Sequence, residues 1–286
     1  MRRLIINADD FGLTSGVNRA IAEANRTGVL TSATIMANSN AYAEAVAITQ
    51  SLPALRTGCH VVLIDGEPVS SGLSSLTSGG KRFGSNLKTF ALSAIRKKIS
   101  EEEIEREAEA QIRKLQASGL TVTHVDTHKH THMFPRVVRP LLRAAKACSV
   151  RAVRNPFEPR RSWAMGKVLA TRGLWMRAAE VIALQIFAAK FRKAVQEENM
   201  LTTDGTVGIT ATGLLDEELL HAIINALPEG TWELVCHPGY ADADLQAAGT
   251  RLLQSREVEL QALTSAETRS LISRRGIELI SYADLR

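Results

Sequence analysis

The sequence predicts an α/β protein, a barrel of strand–helix units, on three observations. Short β-branched runs alternate with helix-length segments, the pattern of βαβ units and a mostly parallel sheet. Seven or eight such units fit into 286 residues, which favours a (β/α) barrel over an open doubly wound sheet. Acidic and histidine residues gather at the ends of the strand runs, where parallel α/β folds build their sites. Residues 1–286 read as a single domain, long enough to bury a core without disulfides.

The elements follow in order. Leu4–Ala8 is the first strand and Ser15–Arg26 its helix; Leu30–Met36 and Ala41–Leu52 repeat the unit. Gly58–Leu63 is the third strand, followed by Asp65–Asn86, whose Gly and Ser content reads as a long loop. Ser100 with Glu103 three residues on marks a capping box that opens a helix over Glu101–Ser118. Thr121–Asp126 is the next strand, and Pro135 suits the first turn of a helix over Arg136–Cys148. Val150–Arg154 is a short strand. Phe157–Lys193 is longer than one crossover helix needs and reads as a basic, aromatic-bearing insertion around 157–205. Val207–Thr210 is a weaker strand, and Glu233–Cys236 a stronger one. Thr264 with Glu267 marks a last helix start before the strand Ile277–Ser281.

At 45% hydrophobic and 23% charged residues, the composition is that of an ordinary soluble globular protein. The net charge of +5 would exclude a dedicated nucleic-acid binder if evenly spread. It is not evenly spread. Residues 151–193 hold ten basic and two acidic residues, a net +8 that leaves −3 for the rest. The same stretch carries Phe157, Trp163, Trp175, Phe187 and Phe191. Basic and aromatic residues interleaved suit peripheral contact with an anionic membrane or a lipid-linked substrate. The competing reading is a solvated insertion that packs Trp175, Ile182 and Ile186 into the core or a partner subunit. No other feature supports a nucleic-acid partner. Cys59, Cys148 and Cys236 form no CxxC pair, which argues against a disulfide framework or thiolate zinc and fits a reducing compartment. No signal-peptide core follows Met1, and the apolar stretch Val181–Ala189 is about half a membrane span. The expected location is cytoplasmic, with the inner membrane face as a peripheral contact.

Four of the seven histidines fall within nine residues: His124, His128, His130 and His132, with Asp126 among them. From Asp126 to His132 ligand-type residues recur every second position, so an extended backbone would turn them to one face. That arrangement is costly as core packing and natural around a metal; the alternative is a solvated polar loop. Asp9 and Asp10 end the first strand, His60 lies in the third, and His237 ends the one before last. Alone, the aspartates would be a turn closed by Gly12, and His60 a core histidine. Together, one carboxylate and two imidazoles make a three-ligand set with open positions for water and substrate, and the second aspartate is free to act as a base. Such a set suits one divalent metal ion, with Zn²⁺, Mg²⁺, Mn²⁺ and Co²⁺ all open. A glycosidase would need two opposed carboxylates about 5–9.5 Å apart, unlike two chain neighbours.

The motifs Asn7-Ala8-Asp9-Asp10-Phe11-Gly12, Gly58-Cys59-His60, Thr123 to Pro135 and Cys236-His237-Pro238-Gly239 resemble, in order, those of the YdjC-like carbohydrate deacetylases, which include chitooligosaccharide deacetylases. The resemblance implies an irregular, polysaccharide-deacetylase-like barrel of about seven strands. It implies that Asp10, His60 and His128 hold the metal, that Asp9 is the general base, and that His237 protonates the leaving amine. Arg154 resembles an arginine set against the base, where it would lower the base's pKa and fix its rotamer. Asp126, His130 and His132 would orient His128 or meet sugar hydroxyls. A homodimer is expected from the resemblance alone. The stretch from Arg154 to Gly213 resembles a hopanoid-biosynthesis-associated branch, HpnK, which implies a lipid-linked N-acetylglucosamine substrate. The activity so implied is removal of an N-acetyl group from an amino sugar. The alternatives are another metal-dependent hydrolase, a phosphoesterase or amidohydrolase, and a non-catalytic sugar-lipid binding protein.

Overall fold

The computed structural model describes residues 1–159, 179 and 182–286. Ten strands occur among them: β1 (Arg2–Phe11), β2 (Ser32–Ile35), β3 (Arg56–Val61), β4 (Thr77–Ser78), β5 (Arg82–Phe83), β6 (His124–Thr127), β7 (Ala152–Val153), β8 (Gly205–Val207), β9 (Gly230–Cys236) and β10 (Ile277–Ile280). Eight form one parallel sheet in the order β7-β6-β3-β2-β1-β9-β8, with β10 added beside β1. β1 is central. Its residues 2–8 pair with β9, while its other edge is shared between β10 (residues 2–5) and β2 (residues 7–11). Strands covered on both faces need near-continuous apolar runs, and Leu4, Ile5, Ile6 and Ala8 are all fully buried.

The sheet curls until its edges meet without a regular ladder. β7 and the approach to β8 share one isolated bridge, Ala152 with Leu201. Two backbone bonds support it, Val153 N to Leu201 O at 2.9 Å and Leu201 N to Arg151 O at 2.8 Å, and Thr206 N reaches Phe157 O at 3.2 Å. This is the irregular (β/α) architecture expected; the weaker strand expected over Val207–Thr210 lies instead at Gly205–Val207, because Gly208 takes a left-handed backbone at φ 98° that ends it. The site-bearing ends of β1, β3, β6 and β9 converge at one mouth.

The structure corrects three local expectations. Ser100 caps the helix Glu101–Ala117 by accepting from Glu103 N at 3.3 Å, but Glu103 does not return the bond. Its carboxylate accepts instead from Ser75 N and Oγ, while Glu107 takes Val69 N and Ser70 N, and Gln111 binds Val62 through both its amide groups. Positions four apart line one helix face, and here that face holds the loop after β3 in place. That loop is not bare: it folds into the β4–β5 hairpin and leads to an unforeseen helix, Leu87–Ile95. Near the C-terminus, the cap is Ser265, which accepts from Glu267 N and Thr268 N. Thr264 ends the preceding helix Ser255–Thr264, its hydroxyl donating back to Leu260 O.

Of the expected insertion, the described part includes a 3₁₀ turn Gln185–Phe187 and the helix Ala188–Glu197. Phe191 is buried against Phe157 and His132, whereas Ile182 and Ile186 are exposed and pack into no core. Arg160, Arg161, Trp163, Lys167, Arg172, Trp175 and Arg177 lie outside the described residues. No helix among the described residues is long and apolar enough to cross a membrane.

Candidate active site

Side chains of successive strand residues point to opposite faces, so adjacent aspartates should not share a site. A register shift between Ala8 and Phe11 resolves this, with Asp10 in the left-handed region at φ 64°. Such a bulge re-aims a side chain at the strand end, and both carboxylates reach the mouth. The left-handed backbone costs of order 1–3 kcal/mol for a non-glycine residue, and contacts to Asp10 hold it there.

Asp9 is gripped by Arg154. Nη1 donates to Asp9 Oδ2 at 2.8 Å and Nη2 to Oδ1 at 2.6 Å. The same guanidinium meets Asp126 Oδ2 at 2.6 Å and donates to Glu233 Oε1 from Nε and Nη2 at 2.9 and 2.7 Å. Arg154 and its three carboxylates are all buried. Burial alone would raise the Asp9 carboxyl; Arg154 outweighs it and holds it well below the usual carboxylate range. Glu233 also accepts from Tyr282 Oη at 2.5 Å and Thr206 Oγ1 at 3.2 Å. Arg151, three residues earlier in the chain, is exposed.

Asp10, His60 and His128 present ligand atoms all within 4.8 Å of one another. Asp10 Oδ1 lies 3.6 Å from His60 Nε2 and 3.2 Å from His128 Nδ1. His60 sits directly opposite Asp126 in the β3–β6 register, and its Nδ1 donates to Asp126 Oδ1 at 2.7 Å. A carboxylate on one ring nitrogen fixes the tautomer and leaves the other free to ligate. Asp126 therefore orients His60, not His128 as the sequence suggested. Asp65 meets the far nitrogen of His128, Nε2, at 3.6 Å and is itself paired with Lys129 Nζ at 2.5 Å.

The other Asp10 oxygen, Oδ2, accepts from Arg256 Nη2 at 2.6 Å. Gly239 makes that reach feasible, since a Cβ there would lie 2.9 Å from Arg256 Cδ. The residues fit a divalent cation on two counts. The set is one carboxylate oxygen and two imidazole nitrogens, each ring facing a carboxylate on its other nitrogen, Asp126 for His60 and Asp65 for His128. In addition, the carboxylates of Asp9, Asp10, Asp126 and Glu233 outnumber the two buried guanidiniums, Arg154 and Arg256. A second cluster, Asp9, His60 and Asp126, is equally tight, but Arg154 already occupies both its carboxylates.

The histidine-rich segment does not run extended. β6 ends at Thr127, and residues 128–133 form a tight 3₁₀ turn in which Lys129 and His130 adopt left-handed backbone at φ 56° and 52°. The two-residue alternation is broken, so His128, His130 and His132 do not share a face. His132 turns inward, its Nδ1 2.7 Å from Thr127 Oγ1 and its ring beside Phe191. Burial pushes His130 down to about 3, helped by the nearby Arg154, and pushes His132 well below its ordinary value. His124 lies at the other end of β6, stacked on Tyr282 at 3.8 Å between ring centroids.

His237 follows β9. Its Nε2 is 4.0 Å from Asp9 Oδ2, and its Nδ1 is 3.9 Å from Glu259 Oε2, which also accepts from His237 N at 2.5 Å. Burial pushes His237 down to about 4 and Glu259 up to about 7. Glu259, raised above its ordinary value of about 4.5, keeps its proton in the folded chain through a window where the unfolded chain has lost it. Stability therefore falls as pH rises from about 4.5 to 7. Glu259→Gln has no such titration, so its stability relative to wild type should rise by roughly 2–4 kcal/mol between pH 4.5 and 8. Denaturant unfolding at both pH values checks this, and a pH-independent difference would refute the assignment.

Sequence reasoning did not single out Glu233, Glu259, Arg256 or Asp65. Glu233 alone left a signal, as a charge in the otherwise apolar strand β9.

Known proteins share this architecture. A carbohydrate deacetylase of Brevibacillus brevis is 32% identical over 284 residues, covering 99% of both chains. A chitooligosaccharide deacetylase of Klebsiella pneumoniae is 34% identical over 289 residues, with the same coverage. A crystal structure from Enterococcus faecalis, described as a cellobiose-phosphate cleavage protein, superposes with a TM-score of 0.78 at 26% identity and covers 98% of this chain and 97% of its own. The family model of YdjC-like proteins matches residues 3–274. With agreement of that length in sequence and fold, the chain belongs to the YdjC-like family.

Proposed function

We propose that the chain is a metal-dependent N-deacetylase of N-acetylated amino sugars. The observation that carries this reading is the division of labour at Asp9 and Asp10. One carboxylate faces two imidazoles, and its chain neighbour is kept apart by Arg154 with His237 on its open side. The curated relatives' names, carbohydrate and chitooligosaccharide deacetylases, support the same chemistry.

A divalent cation held by Asp10, His60 and His128 would polarise the acetamide carbonyl and acidify a water. The chain's own groups move the protons. Asp9, ionised and fixed by Arg154, takes the proton of the attacking water. His237 is neutral at rest, so the imidazolium that protonates the leaving nitrogen forms during the reaction, its Nε2 being next in line to Asp9. The C–N bond breaks as that nitrogen gains the proton, giving acetate and a free amine. Asp65 and Asp126 hold the two imidazoles in their working orientation.

The finer substrate reading is a lipid-linked N-acetylglucosamine, supported by the net +8 of residues 151–193. The deciding experiment measures acetate release by the purified chain from an N-acetylglucosamine oligomer and from its lipid-linked counterpart. Each assay is run after chelation and after adding back Zn²⁺, Mg²⁺, Mn²⁺ or Co²⁺. Phosphate release from esters without acetate release would replace the deacetylase with a phosphoesterase. His128→Ala should weaken metal affinity beyond the roughly 10–100-fold lost with an orienting partner; competition titration reads this, and unchanged affinity removes His128 from the set.

A further inference from the structure

We propose that residues 81–98 form a docking surface for an anionic lipid bilayer at the mouth of the barrel. No acidic residue occurs between Glu67 and Glu101, while Lys81, Arg82, Lys88, Arg96, Lys97 and Lys98 fall inside that stretch. All six are exposed. Arg82 pairs with Glu67; the other five form no ion pair among the described residues.

The helix Leu87–Ile95 lies within this run and turns its inner side, Phe90, Ala91 and Ala94, to the core. Its outer side is apolar where a solvated helix would be polar. Leu92 is 51% and Ile95 57% exposed, with Leu87 at 38%. Lys88, Leu92, Ile95 and Arg96 recur at helical spacing and so form one outward stripe. Aliphatic side chains framed by basic ones partition to the headgroup–acyl boundary of an anionic membrane. A nucleic acid would leave Leu92 and Ile95 without a partner.

Both ends of the segment are tied beside the site. Asp65 N donates to Gly84 O, and Phe83 N to Gly66 O, at 3.1 Å each. Asp65 is the residue that meets His128. At the other end, Ile99 O accepts from Arg136 Nε at 2.8 Å, in the first turn of the helix that follows the histidine turn. Docking would present the mouth to groups at headgroup level. That the group is an acetylated sugar rests on the proposed function; the docking itself does not.

The test is co-sedimentation of the full chain with vesicles of phosphatidylcholine, alone or with about one third phosphatidylglycerol. Wild type should bind the anionic vesicles, and bind less as salt is raised. Arg96→Gln, Lys97→Gln and Lys98→Gln should each lower partitioning about fivefold. The pair Leu92→Ser and Ile95→Ser should lower it on the order of tenfold or more. Acetate release from a soluble N-acetylglucosamine oligomer should be unchanged in all of them. The glutamine variants change only exposed side chains, so they decide the matter if the serine pair disturbs the fold. Absence of wild-type binding to anionic vesicles, or equal binding by the glutamine variants, overturns the proposal. So does a serine pair that dissociates a dimer in sedimentation equilibrium while vesicle binding is unaffected, since a second copy would then cover the face. Vesicle binding without any deacetylation would sink the proposed function and leave the docking surface standing.

Discussion

Replacing Arg154 with methionine should destabilise the fold by about 3–5 kcal/mol, the cost of removing one partner from a buried ion network. Methionine fills a similar volume, so the loss is electrostatic rather than a cavity effect. Asp9, Asp126 and Glu233 would then face one another across a buried space with no cation between them. Part of the response should be proton uptake, because burial without the guanidinium raises the Asp9 and Glu233 carboxyls. Denaturant unfolding of metal-free protein at neutral pH measures the effect. A loss below about 1 kcal/mol, the range of an exposed pair, would show that Arg154 does not hold the three carboxylates as a unit.

Asp9→Asn should lower kcat about 10²–10⁴-fold while metal binding is retained. The range is that of a general base. Retention follows if the ligand atoms are those of Asp10, His60 and His128, as proposed, and Arg154 still has Asp126 and Glu233 to bind. Acetate release and metal content per chain, measured on one preparation, separate the two. Turnover near wild type removes Asp9 as the base; loss of metal along with turnover would instead place Asp9 in the ligand set.

Much of the frame was legible in the sequence. The eight sheet strands fall where the apolar runs lie, because strand and helix periodicities are local properties of the chain. That Asp9, Asp10, His60, His128 and His237 meet at one mouth was legible because each is a ligand-type residue at or near a strand end. The alternation from Asp126 to His132 misled, since the turn that breaks it depends on Lys129 and His130 taking left-handed backbone, which no pattern of side chains announces. Glu103 misled in the same way: a capping box and a loop anchor have the same sequence, and only the position of Ser75 decides between them.

The partners that orient and charge the site come from far along the chain. Arg256 and Glu259 share a helix with Glu257, and nothing in the sequence marks them off from it. Arg256 meets Asp10 across 246 residues, and only because Gly239 leaves it room. The sequence by itself determined the alternating fold and the ligand chemistry, both of which reside in residue types at short spacing. Tertiary structure alone decided which carboxylate Arg154 grips, which imidazole nitrogen faces Asp10 and how many charges are buried there, because each depends on neighbours that meet only when the sheet curls closed.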